Sequence, residues 1–420
     1  MRSLPGISKF VLWTAVILFA SAAQAGEFPL RDGDVVAMAG DSITAQHLHS
    51  NYIEAYCVTR FPKWNLQFRN AGVGGDTVPR VLARLDTDVL CWKPTVVTIE
   101  LGMNDAGGGP QKVEPYIKQM ETLIDRIKAA GARPIFLTAS PVNDGTTSAD
   151  LKGHELTLDK MATAIVELAA RQKLACADQF HALLDLWGNN QKSPNVIPLG
   201  GDGVHPGPVG QLTMAYACLV GLDAPGLVSS VLIDTGNGGK VAAASNCTVK
   251  DLKIDETGIS FERTDDCLPM PIPKEARDAL KLVPLSAKLN QYLLSVQFDK
   301  TRIVSEKWDV SIDGKKVATI SKDDLWSPNA WNMSELTEGP IAEQCQVVLN
   351  LIRKKEAAVS AYRDVANWKA PAWLDDPALY VAGKQKAELD RLMKKVIEAT
   401  AEVNAAAQPK PHHFEIAPAK

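Results

Sequence analysis

The chain has 420 residues, 46% of them hydrophobic, and a formal net charge of −4. That is long and apolar enough for two domains, or one decorated domain, around a sizeable core. The mildly acidic balance, with no basic block, argues against nucleic acid as a partner, and no Cys-x-x-Cys or His-rich spacing suggests a metal site.

Residues 1–25 read as a signal peptide. Arg2 and Lys9 form a basic leader, residues 10–20 are apolar apart from Thr14, and Ala23-Gln24-Ala25 is an A-x-A cleavage site. The apolar run is too short to span a bilayer comfortably, and no cysteine sits at the cleavage site to carry a lipid. The expectation is an exported protein, periplasmic or extracellular, with no stable membrane insertion after cleavage. The leader carries two positive charges and no acidic residue, so its loss takes the net charge from −4 to −6.

From about residue 33 to 222, short apolar runs alternate with longer helical periods. Runs at 35–39, 66–69, 96–101 and 135–139 read as strands, and 45–60, 79–90, 113–130 and 149–173 as helices. Pro62, Gly131 and Pro134 punctuate the transitions. The alternation implies parallel strands joined by crossover helices, hence a three-layer α/β domain over 26–225. In such a sheet the ligand crevice lies beyond the carboxyl ends of the strands.

The texture changes after 225. Residues 249–254 and 259–262 flank Asp255-Glu256-Thr257-Gly258 and read as a hairpin. A Pro-rich stretch, 269–273, follows. Residues 308–312 and 316–320 around Asp313-Gly314 read as a second hairpin, and 341–367 and 384–405 as long helices. Residues 226–405 therefore read as a β-hairpin and helical region of unknown role, expected to fold back on the first domain, with a separately folding binding domain as the alternative. The Pro-, Ala- and Lys-rich tail, 406–420, reads as disordered. Seven cysteines leave at least one thiol free or intermolecular in an exported protein. Cys247 and Cys267 flank the first hairpin and could bridge it. Cys176 and Cys218 lie in apolar segments and read as buried thiols.

Gly40-Asp41-Ser42-Ile43-Thr44 follows the first strand, where a sharp turn can expose the Ser42 hydroxyl. Gly74-Gly75-Asp76-Thr77 follows the second strand and Gly102-Met103-Asn104-Asp105 the third. Asp202-Gly203-Val204-His205 precedes the last helix of the domain. Singly, each block is ordinary turn or helix-cap chemistry.

Together and in this order, the four blocks resemble the GDSL esterases, or SGNH hydrolases, over roughly residues 33–222. The resemblance implies a flavodoxin-like α/β/α fold, ester hydrolysis and no cofactor. By the same resemblance Ser42 matches the nucleophile, His205 the general base and Asp202 its orienting carboxylate. Gly75 matches the oxyanion glycine, with Gly74 a neighbouring candidate, and Asn104 matches the oxyanion amide alongside the Ser42 N–H. Ile43 stands where the family name has leucine, an apolar position either way. The chemistry is consistent with these roles: a serine hydroxyl needs a base to take its proton, and a histidine held by a carboxylate supplies one.

Other residues are read more plainly. His47 and His49 are expected to be partly exposed helix residues, His154 a surface residue, and His412 and His413 part of the tail. Trp187-Gly188-Asn189-Asn190 reads as a turn, and Trp326 and Trp331 as packing against the first domain. The leading function is an exported serine esterase, most simply a carbohydrate acetyl esterase acting on a small-molecule or polysaccharide ester. The alternatives are a lysophospholipase or thioesterase, and a non-catalytic carbohydrate-binding protein on a hydrolase scaffold.

Overall fold

Five apolar runs make a parallel sheet in the computed structural model, which describes residues 27–236, 238–299, 305–368 and 384–419. The strands are β1 Val35–Gly40, β2 Gln67–Gly72, β3 Val96–Glu100, β4 Arg133–Leu137 and β5 Cys176–Ala177, in the order β2-β1-β3-β4-β5. Every pairing is parallel. Helices α1 Ser42–Ala45 and α2 His49–Arg60 cross from β1 to β2. Helices α3 Val78–Arg84, α4 Val113–Ala129 and α5 Gly153–Gln172 make the later crossings, and α6 Gln179–Lys192 and α7 Pro208–Gly221 follow β5. Strand order reverses direction at β1. Right-handed crossovers therefore place α2 on the face opposite α3, α4 and α5. This is the expected three-layer α/β/α arrangement. Because both faces are covered, β3 is buried at all five positions, and its sequence Val-Val-Thr-Ile-Glu runs apolar rather than alternating.

The register of the three central strands sets up the site. Gly40 at the end of β1 lies opposite Gly72 of β2 and Glu100 of β3. The loops that follow these strands therefore leave the sheet at one level, and they carry the first three sequence blocks.

The second half is a two-sheet sandwich with a helical hairpin. One sheet has the order β13-β10-β6-β7, from β6 Leu227–Asp234, β7 Lys240–Ser245, β10 Gln291–Gln297 and β13 Trp331–Asn332. The other has the order β12-β11-β14-β9-β8, from β8 Cys247–Asp255, β9 Gly258–Asp265, β11 Lys307–Ile312, β12 Lys315–Ser321 and β14 Pro411–Pro418. Their inner faces share one core that includes Val231, Leu294, Phe261, Val310 and Phe414. Arg263 is fully buried there and fully engaged. It donates to Asp265 at 2.8 Å and to Ser229 at 2.7 Å, and lies over the Tyr292 ring at 4.5 Å.

Helices α8 Pro340–Ala366 and α9 Lys386–Ala406 pack on each other, and α8 packs on α2 and β2. Val348, Leu349, Ile352 and Val403 enter the core of the first domain. A buried charge cluster docks α8: Lys355 Nζ is 2.7 Å from both Glu54 oxygens and 2.9 Å from Glu356, and also donates to the Phe68 carbonyl. No helix among the described residues is long and apolar enough to cross a membrane. The signal peptide read at 1–25 lies outside the described residues.

Several expectations are corrected. Residues 411–418 of the supposed disordered tail form β14, which pairs with both β11 and β9. Alternate residues His412, Phe414 and Ile416 are buried, so the segment has a strand's periodicity beneath its Pro and Ala content. Cys247 and Cys267 form no disulfide. Each thiol instead donates to its own carbonyl on β6, Cys247 to Ser230 and Cys267 to Val228. Trp187 to Asn190 belong to α6, with Trp187 fully buried. Gly188 allows this, because a Cβ there would lie 2.1 Å from the Thr146 carbonyl oxygen. Trp326 and Trp331 pack on the sandwich core, not on the first domain.

Candidate active site

Ser42 opens α1, and the Asp41 carboxylate caps that helix by accepting from the Ile43 N–H at 2.9 Å. Across 163 residues of sequence, Ser42 Oγ lies 2.9 Å from His205 Nε2. His205 closes a tight turn before α7 in which Gly201 bridges to Pro206 and the Asp202 N–H donates to the His205 carbonyl. Both Asp202 carboxylate oxygens stand 3.1 Å from His205 Nδ1. The Asp202 Oδ1 also accepts from the His205 N–H at 2.6 Å and the Val204 N–H at 2.8 Å. Those donors, the His205 N–H first, hold the Asp202 carboxyl below its ordinary range. With Nδ1–H directed at Asp202, Nε2 is left to accept from the Ser42 hydroxyl.

Gly75 and Asn104 come together at Asp76, the residue after Gly75, whose carbonyl Asn104 holds. The loop after β2 has Gly75 at φ 71°, a left-handed conformation that favours glycine. At Gly74 φ is not positive and the space around a Cβ is open, so the backbone requires glycine at position 75. Asn104 Nδ2 donates to the Asp76 carbonyl at 2.9 Å and reaches Asp41 Oδ2 at 3.4 Å. One amide thereby ties the third block to the first two. Asp105 anchors the same loop by accepting from the Val78 N–H, and burial lifts its carboxyl to about 6.

A second polar cluster, which the sequence reading missed, is built around Glu100 at the end of β3. His49 is buried, not partly exposed. Its Nε2 is 2.7 Å from Glu100, and its Nδ1 is 3.0 Å from Gln211 Oε1. Burial works against a charge on His49, but the Glu100 carboxylate and the Gln211 hydrogen bond raise its pKa above the ordinary value. Thr44 and Gln179 donate to the remaining positions on Glu100. Burial, then the nearby Glu100 charge, pushes Asp41 up to about 7. His47 lies 3.2 Å from Glu356 of α8. His154 is half-buried, with its imidazole at the backbone of Met103, next to Asn104. His412 and His413 pair with Asp313 and Glu262 in the second half. Only long-range register brings these groups together, and no local motif announces them. A cleft of about 270 Å³ opens beside Asn104, lined by Thr77, Pro79, Asp105, Lys112 and Tyr116 among others.

Comparison with known proteins finds ester hydrolases among the relatives of this chain. Residues 38–212 match the GDSL-like Lipase/Acylhydrolase family. An acetylxylan esterase of Geobacillus stearothermophilus is 26% identical over 178 residues, covering 40% of this chain and 77% of that protein. The thioesterase 1/protease 1/lysophospholipase L1 of Escherichia coli strain K12 is 32% identical over 117 residues. That match covers 27% of this chain and about half, 54%, of the relative's length. A solved structure of a gut microbial diltiazem-metabolizing enzyme matches with a TM-score of 0.78 at 22% identity, over 93% of this chain and 99% of that one. Its fold therefore extends through the sandwich and the helical hairpin as well.

Proposed function

We propose that this chain, a member of the GDSL-like lipase/acylhydrolase family through residues 38–212 and so a carboxylic ester hydrolase, is an exported serine esterase that forms an acyl-enzyme on Ser42. The observation that carries the serine mechanism is the 2.9 Å contact between Ser42 Oγ and His205 Nε2, backed by Asp202 on Nδ1. Ser42 Oγ attacks the acyl carbon and His205 takes its proton. Asp202 stabilises the imidazolium that forms, and His205 then returns the proton to the departing alcohol. Water repeats the sequence to release the acid.

The charge that develops on the carbonyl oxygen falls to the N–H groups of Ser42 and Gly75 and to the Asn104 amide. Asn104 Nδ2 has two hydrogens. One is committed to Asp76 at 2.9 Å, while the 3.4 Å contact with Asp41 is long and readily exchanged for an oxyanion.

The substrate that fits best is a short acyl ester of a polar alcohol, such as an acetylated sugar. An acetylxylan esterase among the relatives accords with it. Export is supported by the leader at residues 1–25. Turnover of 4-nitrophenyl acetate, 4-nitrophenyl palmitate and acetylated xylan tests the reading. Acetyl preference and acetate release from xylan are expected. A strong preference for palmitate would favour the lysophospholipase or thioesterase alternative, and no turnover of any ester would favour a binding protein.

A further inference from the structure

We infer that Arg363, on helix α8 of the second half of the chain, is a positioning residue for the oxyanion side of the site. The inference rests on the serine-esterase reading above, and it assigns catalytic importance to a residue outside the family-matched segment 38–212.

The Arg363 guanidinium grips two things at once. Its Nε and Nη2 form a bidentate pair with Asp88, at 2.6 and 2.7 Å. Its Nη1 donates to the carbonyls of Asn70 at 3.3 Å and Gly72 at 3.2 Å, in the last turn of strand β2. The loop that carries Gly75 starts at Gly72, so Arg363 holds its root directly.

The far end of the loop is held through a relay. Asp88 also receives Arg84 Nη1 at 2.6 Å. Arg84 Nε donates to the Asp76 carboxylate at 2.6 Å, and its Nη2 reaches the Gly40 carbonyl at 3.4 Å, two residues before Ser42. Asp76 follows Gly75 directly, and its backbone carbonyl is the one that Asn104 holds. Both carboxylates are 2% exposed. In so dry a setting the chain of ion pairs is stiff, and a bidentate arginine pair fixes angle as well as distance.

This bracing matters because an oxyanion donor works only when it already lies where the charge will form. A glycine-containing loop does not hold such a position unaided. Arg363, reaching in from 291 residues downstream of Gly72, supplies the outer end of the brace, so the second half of the chain takes part in catalysis as well as in packing.

The test uses the full-length protein and 4-nitrophenyl acetate, with kcat expressed per active site titrated by diethyl 4-nitrophenyl phosphate. Arg363→Lys keeps the charge beside buried Asp88 but loses the bidentate geometry. The expected result is a folded protein whose kcat falls about 10- to 100-fold with KM within about twofold, the signature of misplaced groups rather than lost binding. Arg363→Ala should fall further, and millimolar guanidinium should restore part of its kcat. Arg353→Ala, on the same helix but paired with Glu275 at the surface, should keep the wild-type rate. A folded Arg363→Lys with wild-type kcat, or a loss confined to KM, would overturn the inference alone. A wild-type protein inert towards every ester would overturn the esterase reading and this inference with it.

Discussion

The turn that presents Asp202 and His205 offers a sharp test in the substitution Gly201→Ala. Gly201 has φ 69°, and a Cβ there would lie 1.8 Å from the His205 carbonyl oxygen and 2.9 Å from the Gly207 nitrogen. Both obstacles are backbone, so no flexible side chain can give way. Forcing an L-residue into the left-handed region costs about 1–2 kcal/mol. Real Cβ contacts essentially never fall under 3.0 Å, so the His205 carbonyl must also retreat by more than about 1 Å. A shift of that size in a catalytic group costs roughly 100-fold in rate. The turn is surface-exposed, so stability should fall by only about 1–3 kcal/mol. Gly203, two residues away, is the internal control: its φ is ordinary and the nearest atoms to a Cβ are 3.7 Å off. Measured as kcat and KM on 4-nitrophenyl acetate, with urea unfolding alongside, Gly201→Ala should lose about 100-fold in kcat while Gly203→Ala stays near wild type. A Gly201→Ala enzyme within about threefold of the wild-type kcat would refute the argument.

Lys355→Ala leaves Glu54 and Glu356 buried without their ammonium partner, and urea unfolding should show a loss of about 3–5 kcal/mol. An unchanged midpoint would mean that the cluster does not dock α8. Truncation after Gln408 removes β14, the shared partner of β9 and β11. The shortened chain should lose the cooperative unfolding of the sandwich, and a soluble product with wild-type circular dichroism would count against the pairing. Asp41 sits at about 7 when folded against an ordinary 3.8, so between those values the folded chain binds the extra proton. Stability should therefore fall as pH rises from about 4 to about 7 and level off above. Asp41→Asn should remove that slope, gaining on the order of 2–4 kcal/mol relative to wild type at pH 8 but little at pH 4. Parallel stability–pH curves for the two proteins would refute the assignment.

The catalytic half was legible because its signals are local. A buried parallel strand shows as an apolar run, and the first three chemical blocks each sit directly after one, so order along the chain translates into proximity at the strand ends. Ser42, Gly75 and Asn104 follow from that rule, while Asp202 and His205 are marked by their own Asp-x-x-His block just before α7. The second polar cluster does not follow from it, since His49, Glu100 and Gln211 meet only through the register of the sheet and the packing of α2 against α7. Arg363 and Asp88 meet across 275 residues, and neither lies in a motif. The tail was misread because its composition suggested disorder, while its alternation His412, Phe414, Ile416 is what a central strand needs. The proposed disulfide failed for a related reason. Cys247 lies opposite Asp265 in the ladder, and the chain leaves that ladder before it reaches Cys267.

The central claim is that Ser42 is the nucleophile, and covalent labelling tests it most directly. After incubation with diethyl 4-nitrophenyl phosphate, mass spectrometry should find one diethylphosphoryl group on the peptide containing Ser42, with esterase activity lost in step. Ser42→Ala should keep its fold, take no label and hydrolyse no ester. A label on another residue, or an active Ser42→Ala protein, would contradict the account.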